Sequence, residues 1–325
     1  MSCLIDALDT LPRLYQEIDG HGTLRLPRGY YTPGFIAALA AFLCHSKVAP
    51  GNFVCENQDN QGYLSAVGLS RALWNHDDYP HERRNSGTNY APLTALASQD
   101  EVDDATAQIN SCLRSMAAQD HGGYGQSPAF KELLHVVGEL HDNVWSHGMN
   151  TGFSTAQRRQ CPGGGEYMIE FSLADCGLGF LAELRRSKIQ GVNTHRDAIE
   201  WCIQEGNSSK LAPQEDEWAQ SVPDDFIGQS PFGTASLLQN SGGNHHQGLG
   251  LAKLVDLARN YAGDLYLASG DCVLHICNGT ITYRSLPCEW KGVAISLAIK
   301  ETSLRAATRA AEAEDVDEIM RLLRG

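Results

Sequence analysis

The stretch Lys131–Met149, KELLHVVGELHDNVWSHGM, decides how the rest of the chain is interpreted. Its apolar residues recur at helical spacing and predict one buried helix face, formed by Leu133, Val137, Leu140 and Val144. A second stripe, with each residue one turn from the next, carries side chains suited to metal ligation, water activation or phosphate contact: His135, Glu139, Asn143 and His147. Taken alone, this stripe is explained more simply as a solvated polar face with one buried histidine.

The composition restricts the class of protein. A length of 325 residues suggests two domains. With 42% hydrophobic and 20% charged residues, the chain has enough apolar side chains for ordinary globular cores. The formal net charge of -14 argues against a broad nucleic-acid-binding surface, because such a surface must neutralise phosphates. Nucleic acid is therefore not an expected partner.

The sequence contains no signal for a membrane or for export. No apolar run approaches the roughly 18 residues that a membrane-spanning helix needs. The N-terminus carries acidic residues and lacks a basic segment followed by an apolar core. The 10 cysteines include no CxxC pair, and the nearest two, Cys272 and Cys277, have no partners at the usual zinc-site spacing. We therefore expect free thiols, a cytoplasmic location and no membrane association.

Residues 1–97 are predicted to form a small α/β domain. Short strands are expected at 23–26 and 52–56, and a helix opens at Thr32-Pro33, with proline at the first helical position. A further helix is expected to be interrupted by Gly68. Residues 98–126 are polar and rich in small side chains, so they are predicted to be a linker that holds one helix around 109–116.

A strand followed by a glycine turn marks the centre of the second predicted domain. Residues 166–174 alternate apolar and polar side chains, which is typical of a half-buried strand. The strand runs directly into Asp175-Cys176-Gly177-Leu178-Gly179, where two glycines permit a tight turn whose backbone can approach a ligand closely. By itself, this pattern is equally compatible with an ordinary turn at the end of a strand.

A second glycine-rich loop, residues 242–250, leads into an apolar helix predicted over 252–261. Such a loop at a helix N-terminus favours anions, because amide N–H groups are free there and the helix dipole is positive. A phosphate-binding P-loop is excluded, because Leu249-Gly250 stands where lysine and serine or threonine are needed.

Four closely spaced strands are predicted at 264–268, 272–278, 280–285 and 292–299, followed by a C-terminal helix over 302–323. The sequence therefore predicts an α+β protein. Its second domain, residues 127–300, is expected to place helices on one face of a mixed sheet, with residues 301–325 as a C-terminal helical segment.

Three motifs in order, ELHDN with a following His-Gly, DCGLG and GG…GLGL, resemble the N, G1 and G2 boxes of the Bergerat-fold (GHKL) ATPase superfamily. That superfamily includes gyrase, MutL, sensor histidine kinases and anti-sigma-factor kinases. The resemblance covers about residues 127–300 and implies a Bergerat-type α/β sandwich. Residues 1–97 more loosely resemble the STAS-like modules that precede such ATPase domains in some bacterial proteins.

The resemblance implies ATP and Mg²⁺ as ligands. Glu139 would orient and deprotonate the attacking water, and Asn143 would ligate Mg²⁺. His147 would contact phosphate, and Asp175 would accept a hydrogen bond from the adenine amine. Glycine-rich segments would line the nucleotide on both sides, at Gly177 and Gly179 for the base and at Gly248, Leu249 and Gly250 for the phosphates.

Two further expectations follow from the resemblance. The long polar segment 211–240 would act as a lid over the nucleotide. The family commonly has Gly-Thr near the last strand, with the threonine hydroxyl supporting the adenine site. Here Val293 follows Gly292, so that contact must be absent or made in another way.

Three functions remain open at this stage. The first is slow Mg²⁺-dependent ATP hydrolysis by a protein that uses ATP or ADP as a regulatory switch toward a protein partner or a second copy of itself. The second is a protein kinase of the anti-sigma-factor or histidine-kinase type, although no helical hairpin with a phospho-accepting histidine precedes residue 127. The third is a non-catalytic nucleotide-binding module, against which the presence of Glu139 argues.

Overall fold

The computed structural model describes residues 3–16, 22–119, 123–144, 151–161, 163–207 and 249–308. The N-terminal part contains four helices and two short strands: α1 (Leu4–Gln16), β1 (Leu24–Leu26), α2 (Pro33–His45), β2 (Phe53–Cys55), α3 (Gln58–Val67) and α4 (Leu69–Trp74). Strands β1 and β2 pair in parallel and are connected through α2. The predicted strands, the helix that opens at Pro33 and the break at Gly68 are confirmed.

The remaining elements follow in the order β3 (Tyr90–Leu96), α5 (Gln99–Ala118), α6 (Pro128–Asn143), β4 (Gly152–Gln160), β5 (Tyr167–Asp175), α7 (Gly179–Arg186), α8 (His195–Cys202), α9 (Gly250–Asn260), β6 (Asp264–Cys277) and β7 (Thr280–Lys300). Residues 301–308 continue as a helix. The expected linker at 98–126 is wrong for most of its length, because α5 is a 20-residue helix whose apolar face is buried. Ser98 caps this helix by accepting a hydrogen bond from the Glu101 amide.

The main sheet has five strands in the order β3-β4-β5-β7-β6, and all of its pairings are antiparallel. The α+β class is confirmed, but the predicted mixed sheet is not, because the strands of the main sheet pair antiparallel and the parallel strand pair, β1-β2, forms a separate sheet. Strand β3 comes from residues that were assigned to the first domain. The main sheet therefore draws on both sides of the predicted boundary.

Strands β6 and β7 contain the four strand segments predicted from the sequence. A straight strand of the 14 residues in β6 would separate its ends by roughly 40 Å. Instead, side-chain donor atoms of Asp264 and Cys277 lie within 4.8 Å of each other. The register to β7 shifts on both sides of Gly270, so β6 doubles back at that glycine. The turn between β6 and β7 is Asn278-Gly279, with positive φ at both residues, as short hairpins require.

Helices cover both faces of the main sheet. Helices α6 and α9, which belong to residues 127–300, lie on one face, as expected for the second domain, and the N-terminal helices cover the other face. One core lies beneath α5, α6 and α9 and includes Phe171 of β5 and Leu297 of β7. A second core lies beneath α1 and α2 and includes Ala174 of β5 and Ala294 of β7. The N-terminal helices therefore pack directly on the strands of the second predicted domain.

The contact between α2 and the sheet is close and polar at its centre. A Cβ atom on Gly34 would lie 2.9 Å from the Cβ of Ser296, so only glycine allows the helix to approach this far. The buried Glu170 carboxylate of β5 accepts hydrogen bonds from the Gly34 amide (3.0 Å), the Ser296 hydroxyl (3.0 Å) and Arg159 Nε (2.8 Å). Its negative charge also suits the positive end of α2. Glu170 thus fixes the N-terminus of α2 to the strand.

No helix among the described residues is long and apolar enough to cross a lipid bilayer.

Replacing Glu170 by alanine is expected to lower the free energy of unfolding by about 3–5 kcal/mol, because Arg159 and the α2 amide lose a buried anionic partner. Urea denaturation followed by circular dichroism measures this loss. Glu200→Ala is the control, since its ion pair with Arg196 is exposed and screened by solvent and should therefore contribute far less to stability. Equal losses in the two variants would contradict the role given to Glu170.

Candidate functional site

A cleft opens beside the C-terminal end of β5, between α6, α7, α9 and β7. Its empty volume, counted out to open solvent, is about 870 Å³. The floor is apolar and is formed by Leu140, Leu173, Val293 and Ile295. Four residues predicted to bind nucleotide or metal also line the cleft: Asn143, Asp175, Gly179 and Gly250.

Asp175 is the buried acid of this cleft and is 4% exposed. One carboxylate oxygen accepts a hydrogen bond from the Gly177 amide at 2.7 Å, and the other accepts one from the Val293 amide at 3.3 Å. Burial raises the pKa of Asp175 to about 6, against the opposing effect of these two amides. The group is therefore largely ionised at pH 7, and an ionised carboxylate with two hydrogen bonds can accept about two more.

Gly292 makes the close approach of β7 to Asp175 possible. Its φ is +90°, and a Cβ atom there would overlap the backbone and side-chain oxygens of Asp175. The next residue, Val293, supports the acid through its backbone amide and turns its side chain into the cleft. The threonine hydroxyl expected by resemblance is thus absent, and the described contacts to Asp175 from this strand come from the main chain.

Ser269 provides the hydroxyl that holds the turn after Asp175. It donates a hydrogen bond to the Gly292 carbonyl at 3.1 Å and accepts one from the Phe180 amide at 3.0 Å. Gly179 has φ +72°, and a Cβ atom there would lie 3.0 Å from the Ser269 hydroxyl. Gly179 of the DCGLG motif is therefore required by its φ and by close packing. Sequence reasoning missed Ser269, because nothing in its neighbourhood indicated a pairing with a turn 90 residues earlier.

Glu139 and Asn143 lie one turn apart on α6, as predicted, and both are half-buried. Asn143 is the last residue of the helix and lines the cleft. Glu139 faces the start of α9, since a Cβ atom on Gly250 would lie 2.8 Å from one of its carboxylate oxygens. His135 Nε2 lies 2.8 Å from the other oxygen, Oε1, which is buried and accepts no aligned hydrogen bond from the described residues.

The buried histidine of this helix is His141, which lies outside the polar stripe. Thr106 and Ser154 place their hydroxyls 2.8 Å from its two ring nitrogens. Burial lowers the pKa of His141 to about 3, so it is neutral at physiological pH. His141 is a hydrogen-bonded core residue, whereas Asn143 of the polar stripe lines the cleft and Glu139 lies beside Gly250.

Helix α9 begins at the cleft, and within the described part of the chain no side chain caps its first turn. Leu249 is its N-cap residue and makes no side-chain hydrogen bond, no acidic residue lies in the first turn, and Gly250 is buried. The amides of an uncapped first turn favour an anion. His147, Gly248 and the expected lid at 211–240 lie outside the described residues.

The cleft also contains residues that the sequence did not suggest, namely Phe180, Glu183, Leu184, Trp201, Cys202 and Asn207. They come from α7, α8 and the residues after α8 and form the wall opposite α6 and α9. Glu183 Oε2 pairs with Arg186 at 2.7 Å. Only the packing of α7 against α8 shows that the aromatic rings of this wall line the cleft.

The raised pKa of Asp175 predicts how stability depends on pH. The folded state binds this proton more tightly than the unfolded state, so the contribution of Asp175 to stability falls as pH rises from about 4 to about 6. The full change is about 3 kcal/mol. Asp175→Asn should remove this dependence of the free energy of unfolding on pH. The measurement is the difference in free energy of unfolding between wild type and variant at each pH of that interval, in which the contributions of the other carboxyl groups cancel. A difference that stays constant from about pH 4 to about pH 6 would contradict the assigned pKa.

No protein-family model, curated protein or solved structure gives a significant match to this chain.

Proposed function

We propose that the protein binds ATP with Mg²⁺ in this cleft and hydrolyses it slowly as a regulatory switch. One observation carries the proposal: a single cleft contains an anchored acid at the end of β5, the amide of Asn143 on α6 and the start of α9, and the carboxylate of Glu139 lies against that start. The acid suits a purine base at one end of the site, and the groups of α6 and α9 suit a polyphosphate at the other end. The proposal assigns the chain to the Bergerat-fold type of ATP-binding protein, with a STAS-like N-terminal unit.

Asp175 recognises the base in this proposal. Two backbone amides fix its carboxylate, and its remaining lone pairs can accept a hydrogen bond from an exocyclic amino group. A carbonyl oxygen at the same position on the base would meet a negative charge instead, so adenine is favoured over guanine. The apolar floor around Val293 suits a flat aromatic ring.

The phosphates lie toward α9 in this proposal. The first-turn amides and the helix dipole stabilise their negative charge near Gly250. The side-chain carbonyl of Asn143 is a suitable oxygen ligand for Mg²⁺, and this residue lines the same cleft. When bound, Mg²⁺ supplies neutralisation of phosphate charge.

Glu139 is the proposed general base. It is next to Gly250, which its Oε2 faces, and its other oxygen, Oε1, is buried beside His135. A water molecule hydrogen-bonded to the carboxylate could lose its proton to it. His135, at 2.8 Å, can hold the carboxylate in position.

The regulatory part of the proposal rests on β5. Asp175 ends this strand, and Glu170, on the same strand, fixes the N-terminus of α2. A change in the nucleotide site that moves the end of β5 therefore also acts on the N-terminal helices. This direct contact supports a switch whose output lies in the N-terminal unit.

Asp175→Asn is expected to weaken ATP binding at least about tenfold, because a charge-assisted hydrogen bond to the base is lost and an amide donor is placed there. Isothermal titration with a non-hydrolysable ATP analogue and Mg²⁺ measures the change. Asp271→Asn is the control, since Asp271 is an exposed acid outside the cleft. Wild-type affinity in Asp175→Asn would place the base elsewhere.

Glu139→Ala is expected to lower the rate of phosphate release by about 10²–10⁴-fold while ATP binding changes little, because only proton transfer from water is lost. Incubation with γ-labelled ATP measures free phosphate and, in the same sample, labelled protein. Glu132→Ala, on the same helix but partly exposed and paired with Lys253, is the matched control.

The same experiment separates the alternatives. Label transferred to protein would indicate a kinase. Binding without turnover in the wild-type protein would indicate a non-catalytic nucleotide-binding module.

A further inference from the structure

We propose that Asp264, His275 and Cys277 form a binding site for a divalent transition metal, with Zn²⁺ as the best-matched ion. One donor atom from each residue lies within 4.8 Å of the other two. None of the three residues lines the nucleotide cleft. The site therefore goes beyond the proposed ATP function and does not depend on it.

The fold of β6 creates this site from residues that are far apart in the chain. Because β6 doubles back at Gly270, Asp264 at its start lies beside Cys277 at its end. His275 is two residues from Cys277 and therefore shares its face of the strand. The sequence around Cys277 has no zinc-site spacing, because the third ligand comes from the opposite end of a bent strand.

The histidine ring is already oriented for ligation. His275 stacks on Tyr266, with ring centroids 4.1 Å apart and planes at 4°. Its Nε2 lies 2.7 Å from Asp264 Oδ1. A metal ion bound between these atoms would take the place of the hydrogen that they share. An exposed aspartate-histidine pair alone would be an ordinary surface contact, but the thiol at the third corner makes it a metal-ligand set.

The donor set selects the class of ion. Mg²⁺ and Ca²⁺ prefer oxygen ligands throughout, whereas a carboxylate, an imidazole and a thiolate together suit Zn²⁺ and related ions. Three protein ligands leave one tetrahedral position for water, which is accessible because Asp264 and Cys277 are exposed. Binding releases one proton as the Cys277 thiol becomes a thiolate, and the hydrogen on His275 Nε2 moves to Nδ1, so that the neutral imidazole binds the metal through Nε2.

Bound metal would tie the start of β6 to its end. Asp264 follows closely after α9, whose first turn lies at the nucleotide cleft. A metal ion at Asp264 and Cys277 would resist separation of the two halves of β6 and would stabilise the folded state by mass action.

The test is a Co²⁺ titration of the full-length, reduced protein without an affinity tag. We expect one equivalent to produce a thiolate-to-cobalt charge-transfer band and the visible bands of a tetrahedral site, both displaced by Zn²⁺. Cys277→Ser should abolish the charge-transfer band, and His275→Gln should weaken Co²⁺ binding at least about tenfold. Cys288→Ser is the matched control for thiol removal and should keep the band.

A second variant separates this site from another pair of histidines in the chain. His245→Ala combined with His246→Ala should retain the charge-transfer band, and circular dichroism establishes that each variant is folded. Zn²⁺ should raise the melting temperature of the wild-type protein but not of folded Cys277→Ser. The proposal is overturned if wild-type protein gives no charge-transfer band, or if Cys277→Ser retains it.

Discussion

The candidate site depends on the hydrogen bonds that hold the buried carboxylate of Asp175 in place. Burial alone would favour its neutral form, and the amides of Gly177 and Val293 offset part of that cost. The glycine at 292 allows this arrangement, because any side chain there would overlap the acid. Burying this acid lowers the stability of the fold but places a fixed, charged acceptor in an apolar cleft, which is typical of binding sites.

The sheet connects this acid to the rest of the molecule. Along β5, Phe171 and Leu173 point into the core beneath α6 and α9, whereas Glu170 and Ala174 face the N-terminal helices. One strand therefore contributes to both cores and ends in the candidate base-recognition residue. The N-terminal unit is packed on this strand and closes the second face of the sheet, so the predicted division at residues 98–126 does not separate independent cores.

Local patterns were sufficient to locate the helices and strands whose hydrophobic periodicity is clear. Helical periodicity located α6 and its polar stripe, and alternation located β5 up to Asp175. The four predicted segments between 264 and 299 correspond to the two halves of β6 and of β7. The same reasoning failed at 98–126, where polar composition suggested a linker. One buried face is enough to make α5 a core helix, despite the solvated residues on its other face.

The sequence by itself determined the α+β class, the clearly periodic elements such as α6 and β5, and the residue types of the candidate site, because these depend on local spacing and side-chain chemistry. It did not predict α1, β3, β4 or α7. Only the tertiary structure decided that the main sheet is antiparallel. It also decided that helices cover both faces, because the helices on the second face come from the distant N-terminal segment. It also decided that Ser269 supports the Gly179 turn and that Asp264 meets Cys277. Those contacts join distant segments and leave no periodic signal in the chain.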